Sequence, residues 1–515
     1  MTRTPTATAI ATESIWSATQ EIPQQPMLSS GTTADVCVVG AGISGLSTAY
    51  HLTKAGKSVV VIEAAEIGAR QTALTTAHLS NAIDDRFVEM ERLHGQAKAK
   101  LAGQSHAAAI DSIEQILRVE RIECDFERLD GYLIAGDENG QDLLSQEYEA
   151  ALRSGVDVSQ LSSAPWADFD TGRCLRFANQ AQFHPLKYLV GLKDAIIRGG
   201  GRIYGSTRAK EIAGGTDAYV RTEHGATVRA GAIFVATNTP INDMIAMHTK
   251  QAPYVTYVIG TRVPRGSVPF GLYWDTLDPY HYVRLQRGSV GDDNDTLIIG
   301  GEDHKCGQAS DGPERFQRLE QWARRRFPMM EGTEFRWSGQ VMETMDGLGF
   351  IGRNPMDQNN VYIATGDSGM GMTHGAIAGI LISDLILGRE NRWESLYEPS
   401  RKTPGAIGDF TKENLNVAKE YGSWLTGGDV GSEEEIPCNC GAVIRQGTTK
   451  LAVYRDEQGR LTRLSAVCPH LKCIVSWNGV LRTWDCPCHG SRFDAHGQVL
   501  DGPAYGGLAP YDDEQ

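Results

Sequence analysis

The sequence of 515 residues predicts an α/β nucleotide-binding domain followed by a small all-β domain that carries a metal or redox site. The first observation is a glycine-rich turn between two short apolar runs near the N-terminus. The second is the last 80 residues, where short apolar runs alternate with turns that contain glycine or proline. The third is that six of the ten cysteines fall in that final stretch, which favours one local site over a secreted disulfide scaffold.

Composition and charge exclude several classes of protein. The chain has 49 Lys and Arg against 64 Asp and Glu, and a net charge of −15 repels a nucleic-acid backbone. No apolar run approaches the roughly 18 residues that a membrane-spanning helix needs. Because of this negative charge, we expect no nucleic-acid partner. The first residues lack the apolar segment of a secretory signal, so we expect a cytoplasmic protein.

The N-terminal glycine-rich turn lies in a complete βαβ context. An apolar run at 35–39 precedes it, a helical pattern follows until Gly56, and a second apolar run at 58–62 ends in an acid. The glycines permit close approach to a pyrophosphate, the helix start supplies N–H groups, and the acid is placed to bind a ribose hydroxyl. The residues that this pattern assigns to a dinucleotide are Gly40, Gly42, Ser44, Gly45 and Glu63.

Three other segments bear on the same domain. A second glycine pattern at 347–352 follows a poor candidate strand at 342–346 and has Pro355 where a helix would grow, so we predict a glycine-rich turn there. The polar segment 67–80 suits a loop laid along a bound cofactor. Near the end of the region, a strand leads into the turn Gly366–Gly375, and an apolar helix is predicted from Ala376 to Leu387.

These motifs resemble the D-amino-acid-oxidase-like family of FAD-dependent amine and amino-acid oxidoreductases over about residues 14–400. The resemblance implies FAD as the cofactor. It also implies a Rossmann-type FAD-binding domain interleaved with an α+β substrate domain at 35–390, after a lead-in at 1–34. The late turn would close over the pyrimidine end of the flavin. The further residues that the resemblance assigns to the cofactor are Arg70, Thr72, Thr75, Thr76, Ala209, Thr237, Gly366, Gly369, Met370 and Gly371.

The C-terminal quarter begins with a polar linker at 391–436, which contains one connecting helix, and continues as an all-β domain at 437–515. This domain contains the motifs Cys468-Pro-His470 and Cys486-Pro-Cys488-His489. Two cysteines and two histidines could bind zinc, because both residue types are tetrahedral zinc ligands. The extra thiols of Cys473 and Cys488 stand at equivalent places in the two motifs.

The paired motifs resemble the Rieske [2Fe–2S] domain. The resemblance implies that Cys468 and Cys486 hold one iron and that His470 and His489 hold the other. It also implies a disulfide between Cys473 and Cys488. At Phe493 this sequence departs from cytochrome bc Rieske domains, which have a tyrosine there, so one hydrogen bond that raises the reduction potential is missing.

Together the two resemblances imply an α/β FAD-binding domain with an interleaved substrate domain, plus a C-terminal all-β Rieske domain. The implied enzyme oxidises the C–N bond of a small-molecule amine or amino acid by hydride transfer to flavin. Electrons then pass to the cluster and leave to a one-electron acceptor protein or a quinone. The alternative is a flavo-iron–sulfur electron-transfer protein that a partner reduces.

A ring-hydroxylating oxygenase is disfavoured, because the histidines outside the C-terminal domain are isolated and form no iron site with a second histidine and an acid. The candidate catalytic residues are His281, Arg284 and His374: a proton acceptor, a carboxylate clamp and a group beside the flavin loop. The alternatives are aromatic packing around His281, a surface ion pair of Arg284 and a helix-capping role for His374.

Overall fold

The structure is a computed structural model that describes residues 13–166, 169–242 and 247–511, so the first twelve residues of the predicted lead-in lie outside the described residues. Two large sheets and two small ones organise the chain. The helices of the described residues are Ile15–Thr19, Ile43–Lys54, Gln71–Leu74, Arg86–His94, Gln96–Glu120, Gly140–Ser154, Pro185–Arg198, Gly312–Arg326, Gly371–Ile386, Glu394–Tyr397 and Ile407–Glu420, with 3₁₀ turns at His248–Lys250, Pro404–Ala406, Tyr421–Leu425 and Glu433–Glu435.

The first sheet is mainly parallel and contains the predicted βαβ unit. Its strands, in spatial order, are Phe350–Arg353, Val361–Thr365, Thr227–Val235, Thr32–Val39, Val59–Ile62 and Arg202–Tyr204. The hairpin Ala209–Ala213 with Tyr219–Thr222 pairs with the beginning of the inner strand Thr227–Val235. The second half of Thr32–Val39 is buried throughout, because neighbouring elements cover both faces of a parallel sheet.

The second sheet is mainly antiparallel and lies opposite the first in the N-terminal part of the chain, residues 13–390. Its strands, in spatial order, are Thr333–Thr344, Gln251–Pro264, Asn294–Lys305, His281–Gln286, Leu272–Asp275, Glu127–Ile134, Cys174–Gln182 and His78–Leu79, with Val158–Leu161 beside Cys174–Gln182. The chain alternates between the two sheets several times. The predicted interleaving of a nucleotide-binding domain with an α+β domain is therefore confirmed.

The helix after the late glycine turn begins at Gly371, five residues before the predicted start at Ala376. Its glycines do not break the helix; they let it approach the helix Ile43–Lys54. A Cβ atom at Gly375 would lie 2.5 Å from Cγ2 of Ile43, and one at Gly379 would lie 2.6 Å from Cβ of Ser47. At 347–352, by contrast, the predicted turn is present, because the chain continues into the strand Phe350–Arg353 and not into a helix.

The C-terminal part folds into two small antiparallel sheets. Their strands are Cys440–Gln446, Thr449–Arg455 and Leu461–Ser465 in one sheet and Ser476–Asn478, Thr483–Asp485, Arg492–Asp494 and Val499–Asp501 in the other. The predicted connecting helix is Ile407–Glu420. Asn414 on this helix donates to the carbonyl oxygen of Thr249 at 3.0 Å, and just beyond it Trp424 donates to that of Lys472 at 3.0 Å. The segment thus contacts both parts of the chain.

Within the described residues, no helix combines the length and the apolar character needed to cross a membrane.

A buried ion pair connects the start of the linker to the N-terminal part of the chain. Arg401 donates two hydrogen bonds to Asp346, at 2.8 and 2.6 Å, and Thr403 donates a third at 2.6 Å. Burial alone would raise the pKa of Asp346, but Arg401 and Thr403 outweigh it and lower that pKa to about 2. The stability that this carboxylate contributes is therefore present above its unfolded pKa of about 3.9 and is lost as the pH falls towards 2.

We expect Arg401→Met to reduce the free energy of unfolding by about 3–5 kcal/mol, because it leaves the carboxylate of Asp346 buried without its cation. Chemical denaturation followed by tryptophan fluorescence measures the loss. The control is Arg353→Met, which removes the half-exposed ion pair with Glu394 and should cost at most about 1 kcal/mol. Equal losses in the two variants would contradict a dominant contribution from the buried pair.

Candidate functional site

A deep cavity lies between the two large sheets, and the predicted glycine turn forms one end of it. Gly40 has a positive φ of 106°, and a Cβ atom there would lie 2.4 Å from the carbonyl oxygen of Ala236. A Cβ atom at Gly45 would lie 1.9 Å from the carbonyl oxygen of Gly40. Gly42 lines the cavity at the start of the helix Ile43–Lys54. Gly40 and Gly45 thus close the turn, while Gly42 leaves space for a ligand.

Glu63 lies beside this turn at the end of the second strand. Its carboxylate accepts hydrogen bonds from the backbone N–H groups of Ala41 at 2.8 Å and Ala65 at 2.9 Å, and it lines the cavity. A carboxylate has further lone pairs, so it retains capacity to accept from ribose hydroxyl groups. The ADP half of FAD fits this arrangement. The N–H groups at the helix start are the donors, Gly42 leaves space for the pyrophosphate, and Glu63 is the acceptor for the ribose hydroxyl groups.

The structure brings almost all the predicted cofactor residues to this cavity. Gly45 is the exception, because it packs behind Gly40. The predicted residues that line the cavity are Gly40, Gly42, Ser44, Glu63, Arg70, Thr72, Thr75, Thr76, Ala209, Thr237, Gly366, Gly369, Met370, Gly371 and His374.

His374 is held by hydrogen bonds at both ring nitrogens. Nδ1 lies 2.9 Å from the carbonyl oxygen of Asp367, and Nε2 lies 3.3 Å from the backbone N of Gly349. Burial lowers the pKa of His374 to about 4, so the ring is neutral at physiological pH. Nδ1 therefore donates to Asp367, and Nε2 accepts from Gly349. Both nitrogens thus hold neighbouring backbone in place at the cavity wall.

The other two catalytic candidates do not line the cavity. His281 lies 3.0 Å from Asp275 and stacks on Trp322, with ring centroids 4.3 Å apart. Arg284 is fully buried behind the predicted flavin loop, where it donates to the carbonyl oxygens of Thr76 at 3.3 Å and Ala77 at 3.1 Å. In this arrangement Arg284 supports the loop from behind and is not placed to clamp a substrate carboxylate.

Sequence reasoning missed the acidic side chains that line the cavity. These residues come from separate loops and strands, so they form no sequence motif. The one sequence signal is that Gly339, Val341 and Glu343 occupy every second position along one strand, which places them on the same face of the sheet. The missed acidic residues that line the cavity are Asp84, Asp303, Glu343, Asp367 and Asp501.

The four predicted iron ligands converge in the C-terminal part. The thiols of Cys468 and Cys486 are hydrogen-bonded to each other, an interaction that lowers the pKa of Cys468, and the ring centroids of His470 and His489 are 5.1 Å apart. Nδ1 of His489 is buried and has no hydrogen-bond partner among the described residues. Two adjacent thiols, two adjacent imidazoles and an unpartnered ring nitrogen fit a Rieske [2Fe–2S] cluster.

The predicted disulfide is present, because Cys473 and Cys488 are bonded through their sulfur atoms. Both sulfurs lie within 4.8 Å of Sγ of Cys486, so the disulfide joins the two ligand loops directly beside the predicted cluster site. A bonded pair of cysteines is unable to ligate a metal as thiolates. The free thiols that remain in the two motifs are Cys468 and Cys486, the pair that the Rieske resemblance assigns to one iron.

The C-terminal part also forms a wall of the main cavity. The end of the strand Val499–Asp501 and the loop that follows it contribute Leu500, Asp501, Gly502, Ala504 and Tyr505 to the cavity lining. The same loop contacts the ligand region, since the backbone N–H of Ala504 donates to the hydroxyl of Ser491 at 3.1 Å. One loop therefore links the cavity to the predicted cluster site.

A second contact connects the two sites. Gln340 lines the cavity, and its side-chain amide donates to the carbonyl oxygen of Gly490, the residue after His489, at 2.9 Å. The ring of His248 lies against both predicted histidine ligands, with centroid distances of 4.8 Å to His470 and 5.7 Å to His489.

The fold and these two sites define an FAD-dependent oxidoreductase that carries a Rieske iron–sulfur domain. The family model "FAD dependent oxidoreductase" matches residues 35–385, and the model "Rieske [2Fe-2S] domain" matches residues 428–512. The chain belongs to the FAD-dependent oxidoreductase family, and its cofactors are FAD and a Rieske-type [2Fe–2S] cluster.

Similar proteins exist for the whole chain and for its parts. YhfW of Bacillus subtilis, named as a Rieske 2Fe-2S iron–sulfur protein, is 34% identical over 498 residues, which is 96% of each chain. The gamma-glutamylputrescine oxidoreductase of Escherichia coli is 29% identical over 73% of this chain and 89% of its own. The crystal structure of glycine oxidase from Geobacillus kaustophilus has a TM-score of 0.59 at 19% identity, covers 72% of this chain and 99% of its own, and shows the shared fold.

We expect Phe493→Tyr to raise the reduction potential of the cluster. Phe493 is fully buried in the same apolar core as Cys468 and Cys486. A tyrosine hydroxyl that donates towards a cluster-bound sulfur would stabilise the added negative charge of the reduced state by roughly 1.5–3 kcal/mol. With about 59 mV per tenfold change for one electron, this corresponds to roughly 60–130 mV at most. Protein-film voltammetry measures the shift.

The control is Phe493→Leu, which alters the packing without adding a hydroxyl. An unchanged potential in a Phe493→Tyr variant with normal iron content would show that the side chain at 493 does not reach the cluster.

Proposed function

We propose that this protein oxidises the C–N bond of an amine or amino acid by hydride transfer to FAD and passes the electrons singly to its own Rieske cluster. The observation that carries the proposal is the shared cavity: the glycine turn at 40–45 forms one end, and the C-terminal segment 500–505 forms part of its wall. Bound in their sites, FAD would accept a hydride and the iron–sulfur cluster would accept and release single electrons.

The residues of the chain would hold the two groups as follows. The helix start after Gly42 and the carboxylate of Glu63 would bind the ADP half of FAD. Arg284 would hold the loop at Thr76 and Ala77 against the flavin, and this makes it a positioning residue. The predicted ligands in the C-terminal part would be Cys468 and Cys486 for one iron and His470 and His489 for the other.

Direct contacts support electron transfer within one chain. The hydrogen bond from Gln340 to the carbonyl oxygen of Gly490 joins the cavity wall to the residue after His489. His248, which belongs to the N-terminal part of the chain, lies against both His470 and His489. The final acceptor would be a one-electron acceptor protein or a quinone, because the cluster exchanges one electron at a time.

Anaerobic mixing of the purified protein with a panel of amines and amino acids tests the proposal. We expect bleaching of the flavin absorbance, followed by the electron-paramagnetic-resonance signal of a reduced Rieske cluster, without any added protein. If no amine reduces the flavin but a reduced partner protein does, the proposal fails, and the chain is an electron-transfer protein.

A further inference from the structure

Four acidic side chains line the cavity in addition to Glu63 and Asp501. Asp303 lies on the strand Asn294–Lys305, Glu343 on the strand Thr333–Thr344, and Asp84 and Asp367 on loops beside them. Among the described residues, no Lys, Arg or His forms an ion pair with any of these four carboxylates within 4.0 Å, whereas acids elsewhere, such as Glu120 and Asp346, have such partners.

The order of the antiparallel sheet explains why two of these acids face one space. The strand Gln251–Pro264 lies between the strands that carry Glu343 and Asp303, and it contributes Thr256 to the same cavity wall. The strand His281–Gln286, which pairs with the strand that carries Asp303, contributes Tyr282, whose hydroxyl lies 2.5 Å from that of Thr256. The acids are therefore part of one continuous lining of the cavity.

The hydrogen bonds of these acids leave their charge poorly compensated. Asp84 accepts one bond, from the hydroxyl of Tyr280 at 3.1 Å. Oδ1 of Asp303 is buried and has no hydrogen-bond partner among the described residues. Burial raises the pKa of Asp303 to about 7 and that of Asp84 to about 6. Burial and the nearby acids Asp85 and Asp84 raise the pKa of Glu343 well above its ordinary value.

A bound cation would relieve this arrangement. Grouped carboxylates in a poorly solvated space repel one another, and an ammonium group between them supplies both the counter-charge and the hydrogen-bond donors. The aromatic rings of Trp274, Tyr280 and Tyr282 line the same space, and aromatic faces also attract cations.

A substrate carboxylate would find little to bind on this wall. The described Arg and Lys residues that line the cavity are Arg70 and Arg208. Arg70 is itself a predicted cofactor residue, and Arg208 directly precedes the predicted cofactor residue Ala209. Arg284, the predicted carboxylate clamp, has its guanidinium occupied by backbone carbonyl oxygens and by Gln286.

We propose that the cavity selects an amine substrate with a second cationic group, of the diamine or polyamine class, and that Asp84, Asp303 and Glu343 hold the ammonium that is not oxidised. This inference rests on the proposed amine oxidation and narrows its substrate class. Trp274, Tyr280 and Tyr282 would surround the methylene chain between the two nitrogen atoms.

A binding experiment on the fully reduced holoenzyme tests the proposal without turnover, because reduced flavin does not accept a hydride. Three probes with four-carbon chains are titrated calorimetrically: butane-1,4-diamine, butylamine and 4-aminobutanoate. We expect the diamine to bind at least about tenfold more tightly than butylamine, and 4-aminobutanoate to bind most weakly, since charged hydrogen bonds contribute at least this much. Equal affinity for diamine and butylamine, or a preference for 4-aminobutanoate, would overturn the proposal.

Variants assign the preference to the acidic wall. Asp303→Asn, and independently Glu343→Gln, should bring the ratio of butylamine to diamine dissociation constants close to one. The control is Glu302→Gln, at the residue next to Asp303. The carboxylate of Glu302 accepts a hydrogen bond from Arg318 at 2.7 Å and does not line the cavity, so this variant should keep the wild-type ratio. If Asp303→Asn and Glu343→Gln both retain that ratio, these acids do not hold the second ammonium.

The same probes separate the two proposals. If butylamine and the diamine both reduce the flavin of the oxidised wild-type protein and bind with equal affinity, amine oxidation stands. Only the proposed preference for a substrate with two cationic groups then fails. A strong binding preference for the diamine without reduction of the flavin by any amine would defeat the proposed oxidation and leave a dication-binding site.

Discussion

Gly42→Val is expected to give a folded protein that has lost its FAD. Gly42 lies at the start of the helix Ile43–Lys54 and lines the cavity, and even a Cβ atom there would lie only 3.2 Å from the hydroxyl of Thr72. The two γ-carbons of valine would project into the space that the pyrophosphate needs. Loss of even one charged hydrogen bond weakens binding by at least about tenfold. Flavin absorbance per chain after desalting measures the loss.

Two other glycine variants separate cofactor binding from folding. Gly408→Val introduces the same side chain at a helical position with open space around it, and it should retain FAD. Gly45→Ala places a methyl group 1.9 Å from a backbone oxygen, and it should reduce the yield of folded protein. If Gly42→Val retained full FAD, the dinucleotide would not lie against this turn.

Cys486→Ser is expected to divide the proposed reaction into its two halves. The variant loses one of the two predicted thiolate ligands, so the cluster and its paramagnetic signal should be absent. Reduction of the flavin by substrate should remain within about twofold of the wild-type rate, because hydride transfer needs only the flavin and the cavity. Turnover with an artificial one-electron acceptor should fall by at least about tenfold, a barrier change of about 1.4 kcal/mol or more.

The control for this experiment is Cys438→Ser, which replaces an exposed cysteine of the same C-terminal region outside the two ligand motifs. It should retain iron, the signal and turnover. A cluster-free Cys486→Ser variant that turned over the acceptor at the wild-type rate would place the cluster outside the electron path.

Short motifs made much of this protein predictable from its sequence. Gly40, Gly45 and Glu63 follow from backbone requirements within one βαβ unit, and the structure has the expected close approaches there. Cys473 and Cys488 form the disulfide that the Rieske resemblance implies. The late helix begins five residues before the sequence predicts, because Gly375 serves close packing between helices and not a turn.

The roles of individual side chains in the cavity were less accessible to sequence reasoning. Arg284 follows a run of aromatic residues, a pattern that suggested a substrate clamp. The structure instead surrounds its guanidinium with backbone carbonyl oxygens from distant segments, which no spacing along the chain indicates. His281 is likewise stacked on Trp322, which comes from a helix 41 positions further along the chain.

The sequence by itself determined the two cofactors and the order of the domains, because each motif depends on contacts among residues that are close along the chain. Only the tertiary structure decided which side chains share the cavity. Asp303 and Glu343 come together through the order of separate strands, Asp84 joins them from a loop, and Gln340 reaches Gly490 across 150 positions. The physical reason is that strand pairing and docking of the C-terminal part bring together residues whose spacing along the chain has no period.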